Sequence, residues 1–283
     1  MKLIECPRDA MQGLENFIPT PQKVRYINQL LEVGFDTIDF GSFVSAKAIP
    51  QMRDTAEVLA QLSWQQSRSK LLAIVANKRG AEGASLHDGI AYLGFPLSIS
   101  ETFQQRNTNK SIAEALNTVA EIQELCVKRN KQQVVYISMG FGNPYGDPYD
   151  AEVVSGFVDI LKTLGVGIVS LADTIGVATP ENIANLFGNL TKAHSGLEMG
   201  VHLHANPVTA TEKIEAAWQA GCRRFDGAIK GFGGCPMAND ELVGNIATET
   251  IVEFLDAVGA TPDLNRHAFA EAMRISAEIF PNR

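Results

Sequence analysis

The stretch TPQKVRYINQLLEVGFDTIDF, residues 20–40, holds in miniature the pattern that decides the fold. Thr20-Pro21 reads as an N-cap followed by Pro at the first helical position, where a missing N–H costs nothing. Val24, Ile27, Leu30 and Leu31 recur at helical spacing and form one apolar stripe. Gly34 suits the left-handed position just past a helix, and Thr37-Ile38-Asp39-Phe40 comes next as a short strand. The helix–Gly–strand sequence recurs at Thr163-Leu164-Gly165-Val166-Gly167 and Gln219-Ala220-Gly221-Cys222-Arg223. Thr179-Pro180 repeats the start signal, with Ile183, Leu186, Phe187 and Leu190 as its stripe. Ser111 with Glu114, and Asp54 with Glu57, read as capping boxes or close relatives.

Outward from that unit, strand candidates fall at Leu3–Cys6, Thr37–Phe40, Leu71–Ala76, Ala91–Ile99, Val134–Met139, Ile168–Leu171, Gly200–His204 and Phe225–Ile229. Alternation of strands with helices implies a parallel sheet, and about eight such units close a (β/α)8 TIM barrel. The expectation is one catalytic barrel domain over residues 1–283 with an additional C-terminal helix. The rival open doubly wound sheet in its dinucleotide-binding form loses support, because no Gly-x-Gly-x-x-Gly comes after the first strand.

Composition narrows the partners. The 283 residues carry 24 Lys and Arg against 32 Asp and Glu, a formal net charge of -8. That argues against a nucleic-acid or anionic-membrane surface but not against an anionic small substrate, for which a few placed cations suffice. Cys6, Cys126, Cys222 and Cys235 are scattered and make no disulfide framework. No long apolar run comes after Met1, and none is long enough for a bilayer, so a cytoplasmic protein is expected.

In a barrel the chemistry sits at the C-terminal ends of the strands. Arg8-Asp9, Asp39, Asn77, Ser100-Glu101, Asn143, Asp173-Thr174, His202, His204 and Lys230 all fall there. His202-Leu203-His204 is the strongest local signal, because residues i and i+2 of a strand share a face and two neutral imidazoles make half a metal site. Its plain alternative is a hydrogen-bonded or surface pair, and His87, His194 and His267 read as surface residues. Asp9 would complete a mixed N/O site, and Arg8 could stabilise an oxyanion; both could instead be a structural ion pair. Asp39, a carboxylate in an apolar strand, must be paired, and Arg8 is its available partner. Asn245 reads locally as a helix N-cap, and Gly231-Phe-Gly-Gly-Cys235-Pro as a turn or as a flexible loop delivering a thiol.

Together these segments resemble the 3-hydroxy-3-methylglutaryl-CoA lyase family of metal-dependent barrel lyases over nearly the whole chain. The resemblance is carried by Pro7-Arg-Asp, Ser42-Phe-Val-Ser-Ala-Lys-Ala-Ile-Pro-Gln-Met, Ser100-Glu-Thr-Phe, Asn107-Thr-Asn-Lys-Ser and Leu171-Ala-Asp-Thr-Ile-Gly-Val-Ala-Thr-Pro. Val201-His-Leu-His, Gly231-Phe-Gly-Gly-Cys-Pro and Gly244-Asn-Ile-Ala-Thr-Glu complete it. It implies that Asp9, His202, His204 and Asn245 bind a divalent metal, Mg²⁺ or Mn²⁺ with Zn²⁺ as an alternative. It also implies that Arg8 stabilises an enolate oxygen, that Asp39 is acidic beside the metal, that His202 moves protons, and that Cys235 is a loop thiol. The implied reaction is cleavage of an acyl-CoA of the 3-hydroxy-3-methylglutaryl type. The oligomeric state stays open, a homodimer being one option.

The chain departs from the family pattern in three places. Ala10-Met11 stands where Gly-Leu is usual, Asn143 where Cys is usual, and Ala205-Asn206-Pro207-Val208 where Asp-Thr and an aromatic or Gly, then Gly, are usual. These changes bear on the acyl group more than on the reaction. They also leave two alternatives: a related barrel aldolase or acyl-CoA condensing enzyme, and a barrel that binds a metabolite without turning it over.

Overall fold

A computed structural model describes residues 1–234 and 243–280. Eight strands, β1 (Lys2–Glu5), β2 (Thr37–Ser42), β3 (Lys70–Ile74), β4 (Ile90–Ser98), β5 (Gln132–Ser138), β6 (Ile168–Ala172), β7 (Glu198–His202) and β8 (Arg224–Gly227), close in chain order into a TIM barrel. All pairings are parallel, and β8 returns to β1 with Leu3 opposite Phe225. Every expected strand is present. Three end two residues earlier than the sequence suggests: β3 stops at Ile74, β7 at His202 and β8 at Gly227. After β8 the chain turns tightly, with Lys230 at φ 61, so the expected eighth-strand terminus is a 3-10 turn instead.

Helices surround the strands, and their apolar stripes meet the outer strand faces in one continuous core. Ile27, Leu30 and Leu31 of the helix Thr20–Val33 are buried as the periodicity requires. The expected C-terminal helix, Arg266–Ile279, covers that helix; Phe269 meets Phe35 and Phe280 meets Tyr26 edge to face. Gly34, Gly165 and Gly221 have φ of 80, 83 and 96°, the left-handed conformation that a Cβ would penalise.

The helix starts match the sequence patterns only in part. Ser111 and Glu114 form a full capping box, and Thr179 forms one with Asn182. Thr20 is inside its helix rather than capping it, and Pro19 precedes it. Its hydroxyl donates to Asp54, whose other oxygen holds Lys23 Nζ at 2.6 Å. Asp54 therefore makes no side-chain cap for Thr55–Leu59, because a buried ammonium claims its carboxylate. His194, expected at the surface, is 4% exposed.

Glu5 carries no signal in the sequence patterns, yet it fastens β1 to the chain beyond β8. Its carboxylate accepts from Ile229 N at 2.9 Å and from Thr248 Oγ1 at 2.5 Å. Burial pushes its carboxyl up to about 8, against the pull of those two bonds. A folded-state carboxyl raised in this way favours folding below the unfolded value of 4.5 and loses that contribution as pH rises to about 8. Glu5→Gln removes the loss. The stability of this variant relative to the parent, measured by denaturant unfolding, should therefore climb across this window, by at most about 1.4 kcal/mol per pH unit. A difference that stays flat with pH would contradict the assignment.

Candidate metal and active site

The helix Pro7–Gln12 begins directly after β1 and buries both Arg8 and Asp9. Two strands along the barrel wall, His202 closes β7 and His204 lies two residues on, with ring centroids 5.3 Å apart. Asp9, His202 and His204 each present one ligand atom, all within 4.8 Å of one another. The shared face expected of the two histidines is therefore realised, and Asp9 joins them.

Asn245 completes the arrangement through the backbone. The extended segment around it pairs antiparallel with His204, with Ile246 N donating to Leu203 O and Ala205 N to Gly244 O. Its Nδ2 donates to Asp9 Oδ2 at 2.6 Å and to Phe232 O at 2.8 Å. The next helix starts at Thr248 with Ala247 as its N-cap, so Asn245 is not a cap. Gly233 makes this contact possible, since a Cβ there would lie 2.6 Å from Asn245 Nδ2 and 2.9 Å from Asp9 O. Cys235 lies outside the described residues.

Beside this cluster Arg8 grips Asp39 through Nη2 at 2.5 Å and Nε at 3.0 Å, and Asp9 through Nη1 at 3.0 Å. Gln12 bonds to both Arg8 and Asp9, at 2.9 and 2.8 Å. Asp39 is thus paired with Arg8, as a carboxylate in an apolar strand requires. On the other side His202 Nδ1 meets Asp226 Oδ2 at 3.3 Å.

The electrostatics prepare these groups for a cation. Burial, then the neighbouring His202, lower His204 to about 4, so it is a neutral imidazole. Neither of its ring nitrogens has a hydrogen-bond partner of standard geometry among the described residues. Burial raises Asp9, but Arg8 and the two histidines outweigh it and hold the carboxyl below its usual range. Burial also raises Asp39, and Arg8 only partly offsets it. His202 is drawn down by burial but ends above its usual value, because Asp226 and Asp9 attract the proton. An unpartnered neutral imidazole facing an ionised carboxylate fits a divalent cation, and the N/O donors suit Mg²⁺, Mn²⁺ or Zn²⁺.

The other polar residues at the strand ends serve elsewhere. Asn77 caps the helix Lys78–Ser85, and Ser100 caps Glu101–Thr108 and donates to Asp147. Glu101 accepts from Ile112 N, Thr174 from Met139 N, and Asn143 closes a turn over Tyr145 and Asp147. Asp173 pairs with buried Lys213, which also donates to His204 O. Lys230 is exposed past β8. Asp226, Gln12 and Lys213 are not marked by the sequence patterns above. Asp226 carries the same signal as Asp39, a carboxylate in an apolar strand; Gln12 and Lys213 carry none above an ordinary helix surface residue.

Fold and site together define a (β/α)8-barrel enzyme with a candidate metal centre at the C-terminal mouth. The HMGL-like family model matches residues 3–275, and the chain belongs to that family of acyl-CoA lyases. It is 35% identical to the hydroxymethylglutaryl-CoA lyase of Bacillus subtilis over 250 residues, 88% of this chain and 83% of that one. It is 32% identical to the 3-hydroxy-3-isohexenylglutaryl-CoA/hydroxy-methylglutaryl-CoA lyase of Pseudomonas aeruginosa over 281 residues, covering 99% and 93% of the two chains. A solved HMG-CoA lyase from Acinetobacter baumannii, in complex with coenzyme A and 3-methylmalate, superposes with a TM-score of 0.90 at 29% identity, covering 98% and 90%. No helix among the described residues is long and apolar enough to cross a membrane.

The geometry generates a direct expectation for the ligand set. His204→Ala and Asp9→Ala should each weaken divalent-metal binding by at least about tenfold in a calorimetric titration. Titration curves unchanged in both variants would remove the cation from this cluster.

Proposed function

We propose that this chain cleaves a 3-hydroxyacyl-CoA of the 3-hydroxy-3-methylglutaryl type into acetyl-CoA and a 3-oxo acid, acetoacetate for the parent substrate. The observation that supports it most is the convergence of Asp9, His202 and His204 beside the buried Arg8–Asp39 pair, in a chain of the HMGL-like family. Asp9, His202, His204 and Asn245 would hold the cation. When bound, a divalent ion supplies Lewis-acid polarisation of the substrate hydroxyl and a carbonyl oxygen.

The protein's own groups account for the remainder. Cleavage removes the 3-hydroxyl proton and breaks the C2–C3 bond, so that C3 becomes a ketone and the electron pair passes into an acetyl-CoA enolate. Asp39, buried beside the cluster, takes the hydroxyl proton, while Asp226 orients the ring of His202. Arg8 donates to the enolate oxygen, held in place by Asp39 and Gln12. A proton delivered to the enolate carbon completes the reaction, and Cys235 is the group assigned to that delivery. Acyl-CoA is the substrate partner.

A second reading, that the acyl branch is larger than methyl, is favoured by Ala205. Its small buried side chain adjoins His204, and its backbone pairs with Gly244. Asn206 folds back to accept from Val208 N and Thr209 N, starting the helix Ala210–Gln219, and Val208 is 89% exposed. Ala205 is therefore the member of that segment placed to change the pocket wall.

Acetyl-CoA release from several 3-hydroxyacyl-CoA substrates, with and without Mg²⁺ or Mn²⁺, tests the reading. Metal-dependent release is expected, and no release from any of them would overturn it. Arg8→Gln should retain metal binding while kcat falls about 10²–10³-fold, the effect of losing one oxyanion donor; near-normal turnover would leave Arg8 a purely structural ion-pair partner. If Ala205 has widened the pocket, kcat/KM should favour a longer-branched substrate, and a clear preference for 3-hydroxy-3-methylglutaryl-CoA over every analogue would refute it.

A further inference from the structure

Below the metal cluster, the barrel interior carries a charge that the reaction does not use. Arg224 of β8 is 1% exposed. Its side chain crosses the bare backbone of Gly200 on β7, where a Cβ would lie 2.7 Å from Arg224 Cγ and Cδ. Glu198 Oε1 takes its Nη1 at 3.0 Å, while Nε and Nη2 have no partner among the described residues. Tyr136 Oη, Ser170 Oγ and Asp226 Oδ1 are likewise buried and unpartnered.

These atoms belong to one region. The register sets Tyr136 beside Ser170 and Ser170 beside Gly200, so a single row runs from β5 through β6 and β7 to Arg224. One step toward the mouth, His202 pairs with Asp226. Arg224 and Asp226 are two residues apart on one strand and so share a face. Of the charges acting on Arg224, that of Asp226 is the strongest. The edge of the Tyr136 ring meets His202, with centroids 5.8 Å apart. Buried polar atoms in such numbers are satisfied in folded proteins by ordered water. A cavity of about 360 Å³ at the N-terminal end of the barrel, lined by Arg224, Glu198 and Lys2, opens at the foot of this row.

We propose that Arg224 is a positioning residue for the metal centre: through water held by Tyr136 and Ser170 it anchors the free oxygen of Asp226, whose other oxygen holds His202 Nδ1–H and so presents Nε2 to the cation. The inference rests on the metal-site reading above. Orienting partners beyond the ligands set the tautomer and ring direction of a ligating histidine, and their loss weakens metal binding about 10–100-fold.

The test is calorimetric titration of Mn²⁺ into the full chain after chelation, alongside its melting temperature. Arg224→Met, which keeps the length and apolar bulk of the stem, should bind Mn²⁺ at least about tenfold more weakly than the parent. Arg224→Lys, which keeps a cationic donor, should recover most of that affinity. Melting temperatures alone would register a merely structural role. A folded Arg224→Met protein whose Mn²⁺ affinity stays within about twofold of the parent overturns the proposal, as does an Arg224→Lys protein no better than Arg224→Met. Should Arg224→Met fail to fold, Gly200→Ala pushes the arginine stem aside while keeping its charge; weaker Mn²⁺ binding then supports the proposal and unchanged binding overturns it. A parent chain that binds no Mn²⁺ overturns the metal-site reading itself, an outcome distinct from equal binding by parent and variant.

Discussion

Arg8 holds Asp39 and Asp9 on separate edges of one guanidinium, and the mouth of the barrel is organised around that buried triad. Asp39 comes from β2 and Arg8 from the helix after β1, so the pair ties two neighbouring units together at the level of the site. Taking three charges out of water is costly, and an apolar core of equal volume could be as stable. The return is geometric. A planar guanidinium accepts carboxylates only along fixed directions, which sets the angle at which Asp9 faces the histidines. One formal cation against two carboxylates also leaves negative charge for a divalent ion to meet, while His204 stays neutral beside it.

The other half of the site is built from backbone. A side chain can swing, but a paired strand cannot, and Asn245 and His204 are joined by main-chain bridging. Gly233 lets that layer approach Asp9 more closely than any residue with a Cβ could. Lys213 then fixes the carbonyl of His204 from below while neutralising Asp173, so the turn beyond β7 is held from two directions.

The interior of the barrel is asymmetric. Leu72, Ile74, Val134 and Ile168 form an apolar wall on β3, β5 and β6. Asp39, Arg224, Asp226 and His202 stand on β2, β8 and β7. Apolar side chains in layers normally fill such an interior. Here the wall does so on one side, leaving the opposite strands free to carry ionisable groups in a medium of low dielectric, where each acts strongly on its neighbours.

Residue patterns along the chain were sufficient for the barrel. Helical stripes, glycines past helix ends and short apolar runs report local geometry, and local geometry repeated eight times has one common closed solution. His202, His204 and Asp39 were legible because strand periodicity orients side chains before any tertiary contact forms, and Arg8-Asp9 because the pair directly follows the first strand, where a barrel keeps its polar groups. What remained hidden depends on contacts remote in sequence. Whether Asn245 caps a helix or faces Asp9 turns on an extended segment pairing with residue 204, some forty positions earlier. Asp54 has the pattern of a cap, but a lysine from another helix claims it, and His194 has the pattern of a surface residue, but the fold buries it. Sequence spacing alone determined which way each side chain points within its own element; only the closed barrel decided what it meets, because partners for buried charge are set by distance in space.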